Sequence, residues 1–239
     1  MLPISKLTAG VRVARLMMRV TSKWGEGFDA LGGLSDSPLE ISVFTNPSSA
    51  SFSDQYRAEF PTDRLQLLIG VSDIVLQTTG SASVKPEKFM ERFEQLWTTI
   101  NRHLQVTDIR RLGLVAEYRR NQQESSAHLV RNLTRMPTEG FPAKFLLNFE
   151  RRLPTITGAR PDPKSSDFVN LIYQIYDSVR DETPEEGAFN ANLDVQRYYD
   201  PLLQEGVPEQ LRALYRKHFE DHWRKFQKTL EDLSVLGAV

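Results

Sequence analysis

Two histidines near the carboxyl end of the chain stand at a spacing that metal sites use. His218 and His222 lie four residues apart in a stretch predicted to be helical, which places both imidazoles on one helix face. A metalloprotease helix carries glutamate directly after its first histidine, whereas this chain has Phe219 there. A third ligand would have to come from His103, His128 or a distant carboxylate. Helix-face histidines without metal are the simpler interpretation, and a metal-dependent hydrolase is a minor alternative.

Two carboxylates in the middle of predicted strands are the other candidates for chemistry. Glu117 and Asp194 each stand among residues with the alternating pattern of a strand. If their side chains face the core, they need a partner such as a neighbouring arginine, because an isolated buried carboxylate is costly. If they face outward, they belong to a solvated strand face. The sequence favours the solvated face.

Motifs for covalent or nucleotide chemistry are missing from the sequence. It has no Gly-x-Ser-x-Gly motif and no Gly-Lys-Ser/Thr phosphate loop, and the run Gly25-Glu26-Gly27 indicates a turn rather than a dinucleotide site. No cysteine is present, which excludes disulfides, zinc–thiolate centres, iron–sulfur clusters and a cysteine nucleophile. The sequence therefore favours a protein without a cofactor and without catalytic activity.

The charge distribution divides the chain into a basic middle and an acidic C-terminal part. Residues 101–164 hold twelve Lys or Arg and six Asp or Glu, and residues 165–239 hold eight and fourteen, although the total net charge is −1. Such asymmetry suits self-association or a charged partner. Within a strand, adjacent arginines face opposite sides, so each arginine pair adds one guanidinium to a given face. The candidate contact residues for nucleic acid or a protein partner are Arg110, Arg111, Arg119, Arg120, Arg131, Arg135, Arg151 and Arg152.

The first forty residues predict one helix and one loop. Thr8 is a suitable N-cap for a helix that ends near Lys23, and glycines and proline in 25–38 predict the loop. On that helix, basic residues share one face and apolar residues share a neighbouring one: Arg12, Arg15, Arg19 and Lys23, and Val13, Met17, Val20 and Trp24. A basic amphipathic helix either packs its apolar stripe on a sheet, which we favour, or serves as a transit peptide or membrane-surface helix.

The rest of the chain predicts many strands and a few helices. Proline begins the two clearest helices, which run from Pro86 to Leu104 and from Pro208 to about Leu230. Strands are predicted at 39–44, 52–60, 65–69, 74–79, 109–118, 143–153, 168–179 and 188–198, a short helix at 127–133, and an acidic hairpin loop at 181–187.

This order predicts an α+β protein in which long helices pack on one face of an antiparallel sheet. Both halves of the order end in a helix that covers a sheet, so two similar strand-plus-helix halves are one form of this architecture. We expect a single domain over residues 1–239, with any subdomain boundary near 121–142. No apolar run approaches the roughly 18–20 residues that cross a bilayer, and we expect a cytoplasmic protein without a membrane span.

Four short segments, taken in chain order, resemble a known protein family. They are Leu7-Thr8-Ala9-Gly10 before a basic helix that ends near Trp24; Asp63-Arg64-Leu65 at the start of a strand; Phe89-Met90-Glu91-Arg92-Phe93 followed by Ile109-Arg110-Arg111-Leu112-Gly113-Leu114; and Asn192-Leu193-Asp194-Val195 before the helix with His218 and Phe219. Together they are similar to a sporadically distributed, uncharacterised bacterial protein family of roughly 250 residues. That family opens with a strand, which this sequence shows only as Pro3-Ile4-Ser5. The resemblance implies no catalytic residue, cofactor or ligand.

Two functions are consistent with these patterns. The first is a non-catalytic protein-interaction or accessory subunit of a bacterial system, self-association included, because arginine and aromatic residues are enriched at interfaces. The alternative is a protein that binds or processes nucleic acid through the basic segment 101–164. The overall pI of about 6.5 lies well below that of a typical basic nucleic-acid-binding domain, which favours the first.

Overall fold

The computed structural model describes residues 3–17, 19–45, 54–80, 84–122, 146–155, 159–160, 162–180 and 183–232. Its strands are β1 Lys6–Val13, β2 Glu40–Thr45, β3 Asp54–Phe60, β4 Leu65–Ile69, β5 Asp73–Thr78, β6 Ile109–Gln122, β7 Leu146–Pro154, β8 Phe168–Arg180 and β9 Thr183–Leu203. Its helices are α1 Arg19–Gly32, α2 Pro86–Leu104, α3 Val207–Leu214 and α4 Glu220–Asp232, and a π-helical turn at Tyr215–Phe219 joins the last two. The strands form one nine-stranded sheet in the order β2-β3-β4-β5-β1-β6-β9-β8-β7. Every neighbouring pair is antiparallel, which confirms the predicted α+β class with an antiparallel sheet.

The predicted helix from Thr8 to Lys23 is wrong in its first half. Residues Lys6–Val13 form β1, which pairs with β5 on one side and with β6 on the other. Leu7, Ala9 and Val11 are at most 1% exposed and alternate with half-buried polar residues, the pattern of a central strand. Pairing on both sides provides hydrogen-bond partners for the backbone N–H and C=O groups along both edges of the strand. This pairing outweighs the helix that the spacing of the basic residues predicts. The chain therefore opens with a full strand rather than with a remnant at Pro3-Ile4-Ser5.

The loop predicted at 25–38 is also wrong over its first part. Gly25, Gly27 and Gly32 lie inside α1. Each glycine disfavours a helix by roughly 1 kcal/mol relative to alanine, but the apolar stripe of the helix packs on the sheet. Trp24 stacks on Tyr56 of β3, with ring centroids 4.8 Å apart. Tertiary packing therefore outweighs the local preference of the glycines.

Alternation along the strands gives the sheet two different faces. The apolar face carries buried aliphatic and aromatic side chains, among them Leu7, Ala9, Val11, Leu112, Leu114, Ala116, Leu193 and Val195. The polar face carries the residues between them. Helix side chains contact the apolar face, as where Arg92 of α2 lies over the Phe60 ring and Phe226 of α4 packs against Tyr173.

The C-terminal helical segment begins at Val207, close to the predicted start at Pro208, and is divided by the π-helical turn. Its buried apolar residues are Val207, Leu211, Leu214, Phe219, Trp223, Phe226 and Leu230. They follow one another at three- or four-residue steps except for the five-residue step from Leu214 to Phe219. The π turn lies at that step, and a wider turn keeps Phe219 on the buried side.

The two halves of the sheet are connected in a similar way. Strand β5 ends a meander and pairs with β1, while β9 ends a meander and pairs with β6. A helix follows each meander, and β1 and β6 pair with each other at the centre. The helix predicted at 127–133 lies outside the described residues, as does most of the subdomain boundary predicted near 121–142.

Candidate binding surface on the polar face of the sheet

The polar face is organised in rows that cross the strands. In each row, a residue lies directly opposite the next one on the neighbouring strand. The arginine row contains, in this order, Asp73, Arg12, Arg111, Tyr198 and Phe168. Two residues further along each strand, the glycine row joins Val75, Gly10, Gly113, Gln196, Asn170 and Arg152. The carboxylate row follows with Gln77, Thr8, Val115, Asp194, Ile172 and Glu150. Neighbouring rows are about 7 Å apart, because a strand rises about 3.4 Å per residue.

A depression of about 300 Å³ lies at the centre of this face. Its floor is formed where Gly10 of β1 and Gly113 of β6 stand directly opposite each other in the two central strands. A Cβ atom added to Gly10 would meet nothing within 4 Å, and one added to Gly113 would come no closer than 3.9 Å to Gln196. The glycines are therefore not required by crowding, and the missing side chains leave the backbone accessible from the polar face.

Alternating guanidinium groups and rings form a stack at one end of the polar face. Arg152 lies 4.4 Å over the Phe168 ring, and Phe168 stacks on Tyr198 with centroids 4.6 Å apart. Arg111 lies 5.8 Å from the Tyr198 ring centroid on the following strand. Cation–π and stacking contacts order these long side chains, so the two guanidinium groups occupy fixed positions beside the depression.

Arg111 also belongs to a hydrogen-bonded chain that reaches a carboxylate. Its Nη1 is 3.4 Å from both Oε1 of Gln196 and the Tyr198 hydroxyl, which are long and weak contacts. The Tyr198 hydroxyl donates to Oε1 of Gln196 at 2.9 Å, and Nε2 of Gln196 donates to Asp194. Burial raises the pKa of Asp194, and the Gln196 hydrogen bond and the Arg111 charge offset part of this rise.

Two buried amide oxygens on the polar face lack a hydrogen bond. They are Oδ1 of Asn170 on β8 and Oδ1 of Asn192 on β9, and these residues are only 5% and 8% exposed. An unpartnered buried acceptor costs roughly 1–3 kcal/mol, and natural structures retain few of them. Both oxygens are closed off from the surface and therefore lower the stability of the fold.

The structure brings together some of the arginines predicted from sequence and separates others. Arg111 lines the depression and Arg152 lies further along the polar face on β7, whereas Arg119 lies on the polar face towards the other end of β6. Arg151 lies on the apolar face, in register with Leu171. Arg110 is exposed at the bulge that starts β6. Of the remaining candidates, Arg120 is placed only by its backbone within β6, and Arg131 and Arg135 lie outside the described residues.

The histidines predicted as a metal pair are partly buried beside the apolar face. Nδ1 of His222 is hydrogen-bonded to the Tyr173 hydroxyl at 2.6 Å. Burial is the main cause that lowers the pKa of both His218 and His222. In the described part of the chain, no three histidine, aspartate or glutamate side chains come together as a metal site. The contact with Tyr173 gives His222 a structural role.

A larger cavity, of about 710 Å³, lies between the end of α1, the β3–β4 turn and α2. Its central guanidinium is already engaged, because Arg92 pairs with Asp63 at 2.6 Å and donates to the Leu34 carbonyl at 2.6 Å. Arg92 thus joins three elements of the fold. We regard this cavity as a structural junction and the polar-face depression as the better candidate site.

Several residues of the candidate surface were missed by sequence reasoning. They are Arg12, Gly10, Gly113, Phe168, Tyr198, Asn170 and Gln196. A signal existed for the first two, because residues 7–13 alternate apolar and polar as a strand does. Their meeting with Gly113 depends on strand register, which local patterns do not specify.

No helix in the described residues is both long enough and apolar enough to cross a membrane. None of the family models compared with the chain matches it, and the search of curated proteins found no match either.

Proposed function

We propose that this chain is a non-catalytic protein-interaction or accessory subunit that holds a polypeptide partner on the polar face of its sheet. The observation that carries the proposal is the central depression, which is lined by Arg12, Arg111, Asp73 and Asp194. These charged groups contribute little to packing. A partner that supplies carboxylates and hydrogen-bond donors would pair with them.

The architecture supports this assignment of the two faces. We infer that the helices together lie over the apolar face and that the chain consists of two similar strand-plus-helix halves joined at β1 and β6. In such an arrangement the hydrophobic core occupies one side of the sheet, and the polar side is left for a ligand. The depression then lies at the junction of the halves.

Charge favours a polypeptide over nucleic acid. On the regular strands, the described side chains of the polar face include six basic and six acidic residues: Lys6, Arg12, Arg57, Arg111, Arg119 and Arg152, and Glu40, Glu59, Asp73, Glu117, Glu150 and Asp194. A phosphate backbone is attracted by an excess of positive charge, which this face lacks. A polypeptide offers carboxylates, ammonium groups and backbone N–H donors together.

Photocrosslinking would test this proposal directly. A p-benzoylphenylalanine residue at Val75, on the rim of the depression, should form adducts with a polypeptide in cells that produce the protein. The matched control is the same residue at Lys225, on the exposed side of α4, where no specific adduct is expected. Protease digestion should remove the adduct and nuclease should not. The proposal fails if Val75 yields no adduct beyond that of Lys225.

Nucleic acid is the second candidate, and one observation favours it. Arg12, Arg110, Arg111 and Arg152 lie towards the same end of the sheet, and none of them forms an ion pair with a described carboxylate. Gel shifts with single- and double-stranded DNA and RNA at low salt would show whether the protein binds nucleic acid. If Arg111 contacts a phosphate, Arg111→Gln should reduce the slope of the logarithm of the binding constant against the logarithm of the salt concentration by about 1. A nuclease-sensitive Val75 adduct together with a gel shift would favour this candidate.

The other expectations from sequence stay predictions. Self-association would appear as a salt-dependent change in mass by size-exclusion chromatography with light scattering. Three further predictions are the membership in the sporadically distributed bacterial family, the absence of catalysis and the cytoplasmic location. The lack of cysteine is compatible with a reducing compartment.

A further inference from the structure

We propose that the depression floored by Gly10 and Gly113 is a pocket for a carboxylate side chain of the partner polypeptide, with Arg12 and Arg111 as its recognition groups. The inference rests on the proposed function and names the chemistry that the polar face selects. It follows from the pairing of the two arginines, the space above the glycines and the acidic residues that line the depression.

The two arginines stand directly opposite each other on β1 and β6. Like charges in a cross-strand pair repel each other, and Asp73 on the other side of Arg12 offsets part of this repulsion without forming an ion pair. Arg12 is exposed and has no hydrogen bond or ion pair with any residue in the described ranges. The hydrogen bonds of Arg111 to described residues are the two 3.4 Å contacts with neutral groups, and its guanidinium also lies over the Tyr198 ring. A carboxylate between them would relieve the repulsion and accept strong, charge-assisted hydrogen bonds from both guanidinium groups.

The glycine row supplies the space for such a side chain. Because neither glycine carries a side chain, a ligand can approach the backbone of the two central strands between the arginine and carboxylate rows. The depression of about 300 Å³ accommodates the end of an aspartate or glutamate side chain. Val75 and Val115 line it as apolar walls, and apolar walls strengthen an ion pair by excluding water.

The acidic residues that line the depression favour a carboxylate over a phosphate. Asp73 lies beside Arg12 in the arginine row and Asp194 lies in the carboxylate row, and a dianionic phosphate would meet greater repulsion from them than a singly charged carboxylate would. Asp194 accepts the Gln196 hydrogen bond in the unbound protein. A partner that carries a donor beside its acidic residue would also pair with Asp194.

Row spacing gives the pocket a sequence preference. An extended peptide and a sheet strand advance by nearly the same distance per residue, so a peptide aligned with the strands moves one row for every two residues. When its acidic residue lies at the glycine row, a residue two positions away reaches the carboxylate row at Asp194. We therefore expect an acidic residue and, two positions away, a hydrogen-bond donor such as lysine, arginine or asparagine.

Selection from a phage-displayed library of random dodecapeptides on the immobilised full chain tests this inference. Enriched peptides should share the acidic residue and the donor at the expected spacing. Fluorescence anisotropy of a synthetic enriched peptide should then show a loss of affinity of about tenfold or more for Arg111→Gln and for Arg12→Gln. Replacing the acidic residue of the peptide by its amide should cause a similar loss.

Two further variants separate the pocket from the rest of the face. Gly10→Val fills the depression without a steric clash, because nothing lies within 4 Å of its Cβ position, and it should abolish binding. Arg119→Gln removes a guanidinium from the polar face of the same strand β6, away from the depression, and should leave the affinity unchanged. Thermal unfolding midpoints close to that of the unchanged protein would show that each variant is folded.

The outcomes distinguish this inference from the proposed function. Enriched peptides without an acidic residue, or peptides whose affinity survives Arg111→Gln and Gly10→Val, would overturn the carboxylate pocket and leave polypeptide binding in place. Failure to enrich any peptide would overturn the pocket as well, and the Val75 crosslink would then show separately whether the face binds a polypeptide at all.

Discussion

Consecutive residues of β6 meet two different environments. Leu112 and Leu114 are at most 1% exposed on the apolar face, whereas Gly113 and Val115 between them line the depression on the polar face. The apolar face uses its side chains to bury hydrophobic area, which stabilises the fold. The polar face contains opposed arginines, a half-buried carboxylate and unpartnered amide oxygens, and these groups do not stabilise the fold. This difference is the basis of our proposal that the second face serves binding.

The strongest test of this comparison is a truncation on the apolar face. Leu112→Ala should lower the free energy of unfolding by about 3 kcal/mol, because it removes a fully buried side chain and leaves a cavity. Urea denaturation would measure the change. The control is Val115→Ala on the same strand, which should lower the free energy of unfolding by less than about 1 kcal/mol because Val115 is half-buried. Equal effects of the two substitutions would contradict the distinction between the faces.

A smaller effect is expected from a hydrogen bond beside the apolar face. Tyr173→Phe removes the hydroxyl 2.6 Å from Nδ1 of His222 and should lower the free energy of unfolding by about 1 kcal/mol. Tyr198→Phe is the matched change on the polar face, where the tyrosine is equally half-buried, and should have less effect because the hydrogen bonds of its hydroxyl are longer, at 2.9 Å and 3.4 Å. Chemical denaturation of both variants gives the comparison, and a larger loss for Tyr198→Phe would reverse it.

The two histidines give the apolar side a pH dependence of known sign. Burial lowers the pKa of His218 and His222 from the ordinary value of 6.5. Below about pH 6.5 the unfolded chain therefore binds protons that the folded chain resists, and the free energy of unfolding falls as the pH falls. The contribution is fully present above the unfolded pKa and is lost as the pH decreases towards the folded pKa.

Thermal unfolding between about pH 7.5 and about pH 5 measures this effect. The unfolding temperature of the unchanged protein should fall more steeply with acidification than that of the double variant His218→Gln/His222→Gln. The double variant still contains Asp221 and Glu26, whose lowered pKa values also reduce stability in acid, so the difference between the two curves isolates the histidines. Parallel curves would show that burial does not oppose their protonation.

Local sequence patterns correctly predicted those elements whose hydrophobic periodicity fits either a helix or a strand, but not both. Strand β4 coincides with the predicted 65–69, and α2 coincides with the helix predicted from Pro86 to Leu104. Residues 7–13 alternate as a strand, but the basic residues from Arg12 onward recur at helical spacing, so two patterns overlap in one segment. Pairing with β5 and β6 decides between them, and this information is distant in the sequence.

The candidate surface was less predictable than the fold. Arg111 and Arg152 belonged to predicted arginine pairs, and Asp194 was noted as a mid-strand carboxylate for which the sequence favoured a solvated face. Their neighbours could not be predicted, because the meeting of Gly10 with Gly113 depends on a register between segments about a hundred residues apart. Sheet order places Arg111 beside Tyr198, and a single sequence offers no local signal for that order.

The glycines of the depression provide the smallest and most discriminating prediction. If the polar face were shaped by folding, Gly113 would be retained because a side chain does not fit. The structure shows no such conflict, since an added Cβ would lie 3.9 Å from Gln196 and the residue does not have a positive φ. Gly113→Ala should therefore raise the free energy of unfolding by about 0.5 kcal/mol, because alanine loses less conformational freedom than glycine on entering a strand. Gly10→Ala should act in the same direction, since its Cβ position is equally unobstructed.

Equilibrium denaturation in urea, with several replicates, resolves a change of this size. A stabilised variant that also binds the selected peptide less tightly would show that the fold does not need these glycines and that binding does. A loss of more than about 1 kcal/mol would show instead that the floor is tightly packed, and the depression would then be a consequence of strand packing rather than a binding site.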